Sequence, residues 1–286
     1  MEDHRSEFRL AKMCKVMEVS KSGYFKWRTA PKSERKLHKE KLVERITWHF
    51  VDTDEIYGSP KITNELWKEG WKVSERTVGK IMREHGLRSC TVKKFKVQTT
   101  DSNHDNPIAP NLLDQDFSST TAPNQVWVTD ITYVPCREGK LYLACVMDLF
   151  TRKIVGWQLM DRMTNELVLE ALAEANKTKA PSVGLIHHSD RGSQYTSSDY
   201  RDKLLEYNMI ASMSRKGNCY DNACIESFHS LIKKELIYRY RFKTKKEARE
   251  RIFRYIEFFY NRKRTHSYLN YMSPDRFEAM YYSNAL

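Results

Sequence analysis

The chain has 286 residues, 40% of them hydrophobic and 12% aromatic, which is enough apolar surface for a sizeable core and rules out wholesale disorder. Its formal charge of +12 is uneven: residues 1–100 carry 23 Lys and Arg against 14 acids, residues 230–264 carry 13 against 4, and residues 101–229 carry 12 against 17. No stretch approaches the ~18 apolar residues of a membrane span, no early apolar run resembles a signal peptide, and a membrane or secreted protein is not expected.

Met13 to Val19, followed by Ser20, Gly23, Tyr24, Phe25 and Trp27, predicts two short helices around a tight turn in a first segment, residues 1–37. Within 38–96 the periodicity is clearer: Leu42, Ile46 and His49 mark one helix, Ile62, Leu66 and Trp67 a second, and Val78, Ile81 and Met82 a third. Ser74 stands where an N-cap belongs, Glu75 suits the positive end of the helix dipole, and Gly86 follows the last turn. If this is a helix-turn-helix, Arg76, Lys80 and Arg83 are available for DNA phosphates or base edges; a three-helix module that touches only protein is the alternative. Residues 97–124 lose periodicity and collect Thr, Asp, Asn, Ser and Pro, as a linker does.

From 125 the pattern becomes mixed α/β. Gln125–Val134, Leu141–Asp148 and Lys153–Leu159 read as an antiparallel meander, Asn165–Asn176 as a helix, Val183–His188 as a short buried strand, and Ser198–Tyr207 as a helix. Ile210–Met213 reads as a strand and Ala223–Ile237 as a helix, closing a core over 125–240. In the extension 241–286, Thr244 and Glu247 form a capping box ahead of a helix with Ala248, Ile252, Ile256 and Phe259 on one face and a basic opposite face. The six cysteines, at 14, 90, 136, 145, 219 and 224, make no C-x-x-C pair, and His187 and His188 do not combine with them into a zinc pattern. Reduced thiols in a cytoplasm follow. The two basic flanks point to a polyanionic partner, with ordinary solvated surface as the plain reading.

Three carboxylates in the acidic centre call for a reason. Asp130 falls, by alternation, on the strand face of Val126, Val128 and Val134, where a carboxylate costs stability unless it is solvated, paired or bound to metal. Asp190 follows the strand Ile186-His187-His188, at the carboxyl end where sites gather, although turns and caps also use Asp there. Glu226 lies early in a helix with an Ile225, Phe228, Ile232 and Leu236 stripe. Lys233, nearly two turns on, shares its side about 10 Å along the axis; taken singly, Glu226 reads as solvated surface.

The surroundings of these residues decide the matter. Trp127-Val128-Thr129-Asp130-Ile131-Thr132-Tyr133, His188-Ser189-Asp190-Arg191-Gly192-Ser193-Gln194-Tyr195, and Gly217-Asn218-Cys219-Tyr220-Asp221-Asn222-Ala223 through Glu226-Ser227-Phe228 resemble three catalytic blocks of the DDE transposases and retroviral integrases. The resemblance is greatest to the second-reading-frame transposases of the bacterial insertion-sequence family numbered three. Tyr260-Asn261 through Arg264, His266, Leu269, Ser273 and Pro274 resemble that family's C-terminal motif. The similarity runs from about residue 9 to 279. It implies an RNase H-like mixed-sheet core, preceded by a helix-turn-helix module and followed by a basic helical region, with Asp130, Asp190 and Glu226 as the catalytic, metal-binding triad.

Phosphoryl transfer of that kind uses hard oxygen ligands for Mg²⁺, with Mn²⁺ as a substitute. Two ions about 3.5–4 Å apart would activate the attacking oxygen and stabilise the departing one. The resemblance also implies DNA contacts from Lys233, Lys234, Arg191 and Asn222, and a homo-oligomer working on element ends and target DNA in the bacterial nucleoid. A nuclease that cuts without joining, and a DNA-binding regulator with an inert core, remain as rival readings. Complete enzymes of this family are typically frameshift fusions with an upstream helix-turn-helix and leucine zipper. No heptad run precedes residue 40, so the chain is expected to act with an upstream-frame segment.

Overall fold

The computed structural model describes residues 1–90, 107–215 and 218–284, which form two compact units, Met1–Leu87 and Arg88–Leu286. Residues 91–96 of the expected helix-turn-helix, 97–106 of the expected linker, Gly217 and the Cys219 thiol lie outside the described residues.

The first unit is helical throughout. Helices α1 (Leu10–Val16) and α2 (Lys21–Thr29) meet at Ser20, whose hydroxyl accepts from Gly23 N and caps α2. They are followed by α3 (Glu34–Asp52), α4 (Ser59–Lys68) and α5 (Glu75–Glu84). Leu42, Ile46 and Phe50 of α3, Ile62 and Leu66 of α4, and Val78, Ile81 and Met82 of α5 are buried. Ser74 caps α5 by accepting from Thr77 N, and Gly86, at φ +68°, lets the chain leave it through a left-handed turn. Glu69 accepts from Arg45 Nε at 2.7 Å and lies 3.0 Å from His49 Nε2, tying the end of α4 to α3.

The second unit is built on a five-stranded sheet in the order β3-β2-β1-β4-β5. Strands β1 (Val126–Cys136), β2 (Gly139–Asp148) and β3 (Ile154–Met160) form the antiparallel meander, while β4 (Ile186–Ser189) and β5 (Ile210–Met213) run parallel to β1. Alternation along β1 serves two cores. Val126, Val128 and Val134 pack with Ile225, Phe228 and Ile232 of α8 (Ala223–Ile232) and with Ile252 and Ile256. Trp127 packs on the other face with α6 (Asn165–Lys179) and α7 (Ser198–Glu206). Gly156 lets α6 close on β3, because a Cβ there would stand 2.4 Å from the Ala171 carbonyl oxygen and 2.6 Å from Ala175 N.

Several boundaries depart from the sequence expectation. The fourth strand begins at Ile186 rather than Val183; Gly184 turns the chain at φ +91° and leaves Val183 79% exposed. The predicted helix 223–237 is α8 followed by a π turn, Lys233–Ile237, and α9 (Lys245–Phe253) likewise ends in a π turn, Arg254–Tyr260. The Thr244 hydroxyl does accept from Glu247 N, but the Glu247 carboxylate accepts from Lys243 N, one residue ahead of the cap. After α9, Asn261 extends β3 with its side chain, its Oδ1 accepting from Ile154 N and its Nδ2 donating to Ile154 O, both at 3.0 Å. Helix α10 (Pro274–Asn284) is held by Glu278, which accepts from Lys153. The basic C-terminal region is thus part of the same compact unit as the sheet.

Candidate active site

The parallel pairing of β1 with β4 runs to Val128 opposite His188; Asp130 follows two residues later in the middle of β1, and Asp190 directly after the end of β4. Asp130 is fixed at both oxygens. Its Oδ1 accepts from Ile131 N at 2.8 Å, and its Oδ2 lies 3.1 Å from Nδ1 of His229, a buried residue on α8. Asp190 Oδ1 accepts from Gly192 N at 2.9 Å, in a loop where a Cβ on Gly192 would press within 3.1 Å of that same oxygen. Glu226 lies one helical turn before His229 on the same helix, near enough for the charges of Asp130 and Asp190 to act on it.

The electrostatics report this convergence. Glu226 retains solvent access, but the protein crowded around it and the charges of Asp130 and Asp190 push its carboxyl up to about 7. Lys233 stands with its ammonium 4.8 Å from the Tyr133 ring centre. Partial burial lowers its affinity for a proton and the Asp130 charge raises it, so Lys233 belongs to the same group. Among the described residues, no three His, Cys, Asp or Glu side chains are grouped so as to hold one ion by themselves. The donor set is of the hard oxygen kind, which suits cations whose shells are completed by water and phosphate. Two buried polar atoms next to the carboxylates, Asn222 Oδ1 and His229 Nε2, have no hydrogen-bond partner among the described residues.

Other expected site residues are placed differently. Asn222 is buried and its Nδ2 donates at 2.9 Å to the Thr129 carbonyl, just beyond the β4 pairing, so it ties the start of α8 to β1. Arg191 Nε donates to the Ser214 carbonyl at 2.7 Å, drawing it toward the end of β5. Lys234 is partly exposed beside Lys233. Arg76, Lys80 and Arg83 belong to the other unit and lie exposed on α5, with Lys80 Nζ 3.8 Å from Glu84. His187 and His188 are scaffold: burial pushes them down to about 3 and about 4, and their ring nitrogens meet Tyr200, Ser212 and Ser214.

Two site features escaped the sequence reading. His229 was detectable only as the residue at helical spacing i+3 from Glu226. Asp221 lies inside a quoted motif, yet its job is tertiary: it is fully buried and accepts from Arg215 N, Nε and Nη2, from Gln115 Nε2 and from Asn111 Nδ2. The Arg215 guanidinium foremost holds its carboxyl well below the usual range, and the cluster fastens residues 111–115 to the approach to α8.

Comparison with known proteins accords with this geometry. Residues 120–219 and 207–274 match integrase core domain families, and residues 37–95 match an HTH-like domain family. The chain is 46% identical over 273 residues to the insertion element IS600 uncharacterized 31 kDa protein of Shigella sonnei, covering 96% of this chain and 100% of that one. It is 39% identical over 280 residues to the transposase InsF for insertion sequence IS3A of Escherichia coli (strain K12), covering 97% and 96%. Among solved structures it is similar to a simian T-cell lymphotropic virus intasome in complex with the PP2A regulatory subunit B56 gamma, with TM-score 0.48 and 13% identity over 81% of this chain and 73% of that one. It is also similar to the HTLV-2 integrase catalytic core domain in complex with magnesium, with TM-score 0.44 and 14% identity over 55% of this chain and 98% of that one. The near-full-length identity to InsF and the integrase core match show that the chain belongs to the insertion-sequence IS3 family of DDE transposases, polynucleotidyl transferases of DNA transposition and integration.

Proposed function

We propose that Asp130, Asp190 and Glu226 are the catalytic carboxylates of this transposase and hold two divalent cations, Mg²⁺ with Mn²⁺ as a substitute. The observation that carries this reading is the placement of Asp130 on β1, Asp190 directly after β4, and Glu226 one turn before His229, whose Nδ1 lies 3.1 Å from Asp130 Oδ2. When bound, the cations would activate the attacking oxygen and stabilise the leaving one in cleavage and in 3′-hydroxyl strand transfer. The protein's own part is placement. Backbone N–H groups of Ile131 and Gly192 fix one oxygen of each Asp, Asn222 fixes the strand beneath them, and α8 delivers Glu226. Lys233 would contact the phosphate backbone near the scissile bond, with Lys234 as its neighbour in reserve.

The same reading assigns segment 1–37 to a helical lead, 38–96 to a DNA-reading helix-turn-helix through Arg76, Lys80 and Arg83, 97–124 to a linker, 125–240 to the catalytic core and 241–286 to a basic extension. A homo-oligomer assembled on element ends and target DNA in the nucleoid, with a segment from the upstream frame, completes it; among the described residues no helix is long and apolar enough to cross a membrane. The test is metal removal: chain stripped with EDTA should neither cleave nor join labelled element-end duplexes, and added Mg²⁺ should restore both. Cleavage restored without joining would favour the nuclease reading instead.

A further inference from the structure

Lys233 opens the π turn that follows α8, and two residues on, Glu235 turns into the protein and is 1% exposed. A carboxylate so placed needs donors. It has three of them: Arg264 Nε at 2.9 Å and Nη2 at 2.6 Å, and the Tyr255 hydroxyl at 2.6 Å. Arg264 and Tyr255 are themselves buried, and Tyr255 lies in the second π turn, Arg254–Tyr260. Single π turns inside helices recur at functional sites, and each alters the rotational phase of the helix around it. Here Tyr255 of the second π turn and Arg264, four residues past its end, both meet Glu235 of the first.

The partner side of this pair is fixed to the sheet. Tyr260 donates its hydroxyl to the Arg152 carbonyl at 3.0 Å, and Asn261 pairs with Ile154 through both amide atoms. Arg264 therefore presents its guanidinium from a rigid base, and Glu235 carries that reference back to Lys233. The geometry points to Glu235, Arg264 and Tyr255 as positioning residues that set the direction in which Lys233 is offered to a DNA phosphate. A buried pair that contributed stability alone would be replaceable by apolar residues of similar volume. One that aims a cation would not. This inference rests on the reading of Lys233 as a phosphate contact.

The experiment uses the full chain and a labelled blunt duplex, and reads the slope of log affinity against log salt together with Tm. Lys233→Ala should lower the slope by about 0.9. The apolar pair Glu235→Met with Arg264→Met should melt near wild type yet lower the slope by the same amount, and adding Lys233→Ala to it should change nothing more. Tyr255→Phe should give a smaller loss. If the apolar pair melts below the assay temperature, Glu235→Gln carries the same comparison with the same expectation. A wild-type slope in the folded pair variants, while Lys233→Ala lowers it, overturns the inference and leaves the Lys233 reading intact. An unchanged slope in Lys233→Ala overturns both.

Discussion

Asn222 separates a contact with DNA from a brace within the protein. Its amide meets the Thr129 carbonyl at 2.9 Å where β4 no longer pairs with β1, one residue before Asp130 and four before Glu226. Asn222→Ala leaves that carbonyl without its partner in a buried setting, a loss of about 1–3 kcal/mol. In a unit of this size the penalty is a Tm decrease of roughly 2–12 °C, since each kcal/mol is worth about 2–4 °C. Loosening the tie also frees the first turn of α8, so strand transfer should fall at least about tenfold, the equivalent of 1.4 kcal/mol in the barrier. Paired assays check this: thermal melts by circular dichroism, joining of labelled ends in Mg²⁺, and the salt dependence of duplex binding. The slope against log salt should not move, because a buried amide neutralises no phosphate. A reduced slope with an unchanged Tm would refute the brace and return Asn222 to the DNA surface.

Three further outcomes follow from the same packing. Lys233→Ala should weaken duplex binding at low salt and reduce joining while leaving Tm within a few degrees of wild type; an unchanged joining rate shifts the role to Lys234. His187 and His188 are held uncharged, so the unfolded chain binds more protons between pH 6.5 and about 4, and stability present at neutral pH is lost as pH falls. For His188 alone the loss is about 3 kcal/mol at pH 4, and urea titrations of wild type and His188→Gln should show the acid sensitivity reduced in the variant; equal sensitivity in both would contradict it. Gly156→Ala would drive a methyl into the Ala171 and Ala175 backbone of α6, an overpacking cost of about 1–3 kcal/mol that a melt should reveal. A wild-type Tm there would mean that α6 lies farther from β3 than described.

What could be read from the sequence was local chemistry. Ser74 and Thr244 cap their helices because a short hydroxyl ahead of a periodic apolar run has few other uses, and both accept the expected N–H. Asp130 could be singled out because alternation forces it onto the face of Val126 and Val128. The π turns were not legible. The first holds Glu235 against Arg264, 29 residues away in sequence, and nothing in the periodicity of 223–237 announces that. Asn222 and Arg191 illustrate the same boundary: a polar residue next to a catalytic carboxylate can face substrate or brace the backbone, and only the position of the Thr129 and Ser214 carbonyls distinguishes these. Val183 resembles a strand residue by apolar character alone, although Gly184 right after it supplies the turn.

The central claim is that Asp130, Asp190 and Glu226 act as one metal-dependent set, and strand transfer by purified single variants tests it most directly. Asp130→Ala, Asp190→Ala and Glu226→Ala, each prepared free of wild-type protein and shown to bind duplex DNA normally, should lose both cleavage and joining of labelled element ends in Mg²⁺. Joining at the wild-type rate by any one of the three would contradict the account, because that residue could not then be a ligand of the catalytic cations.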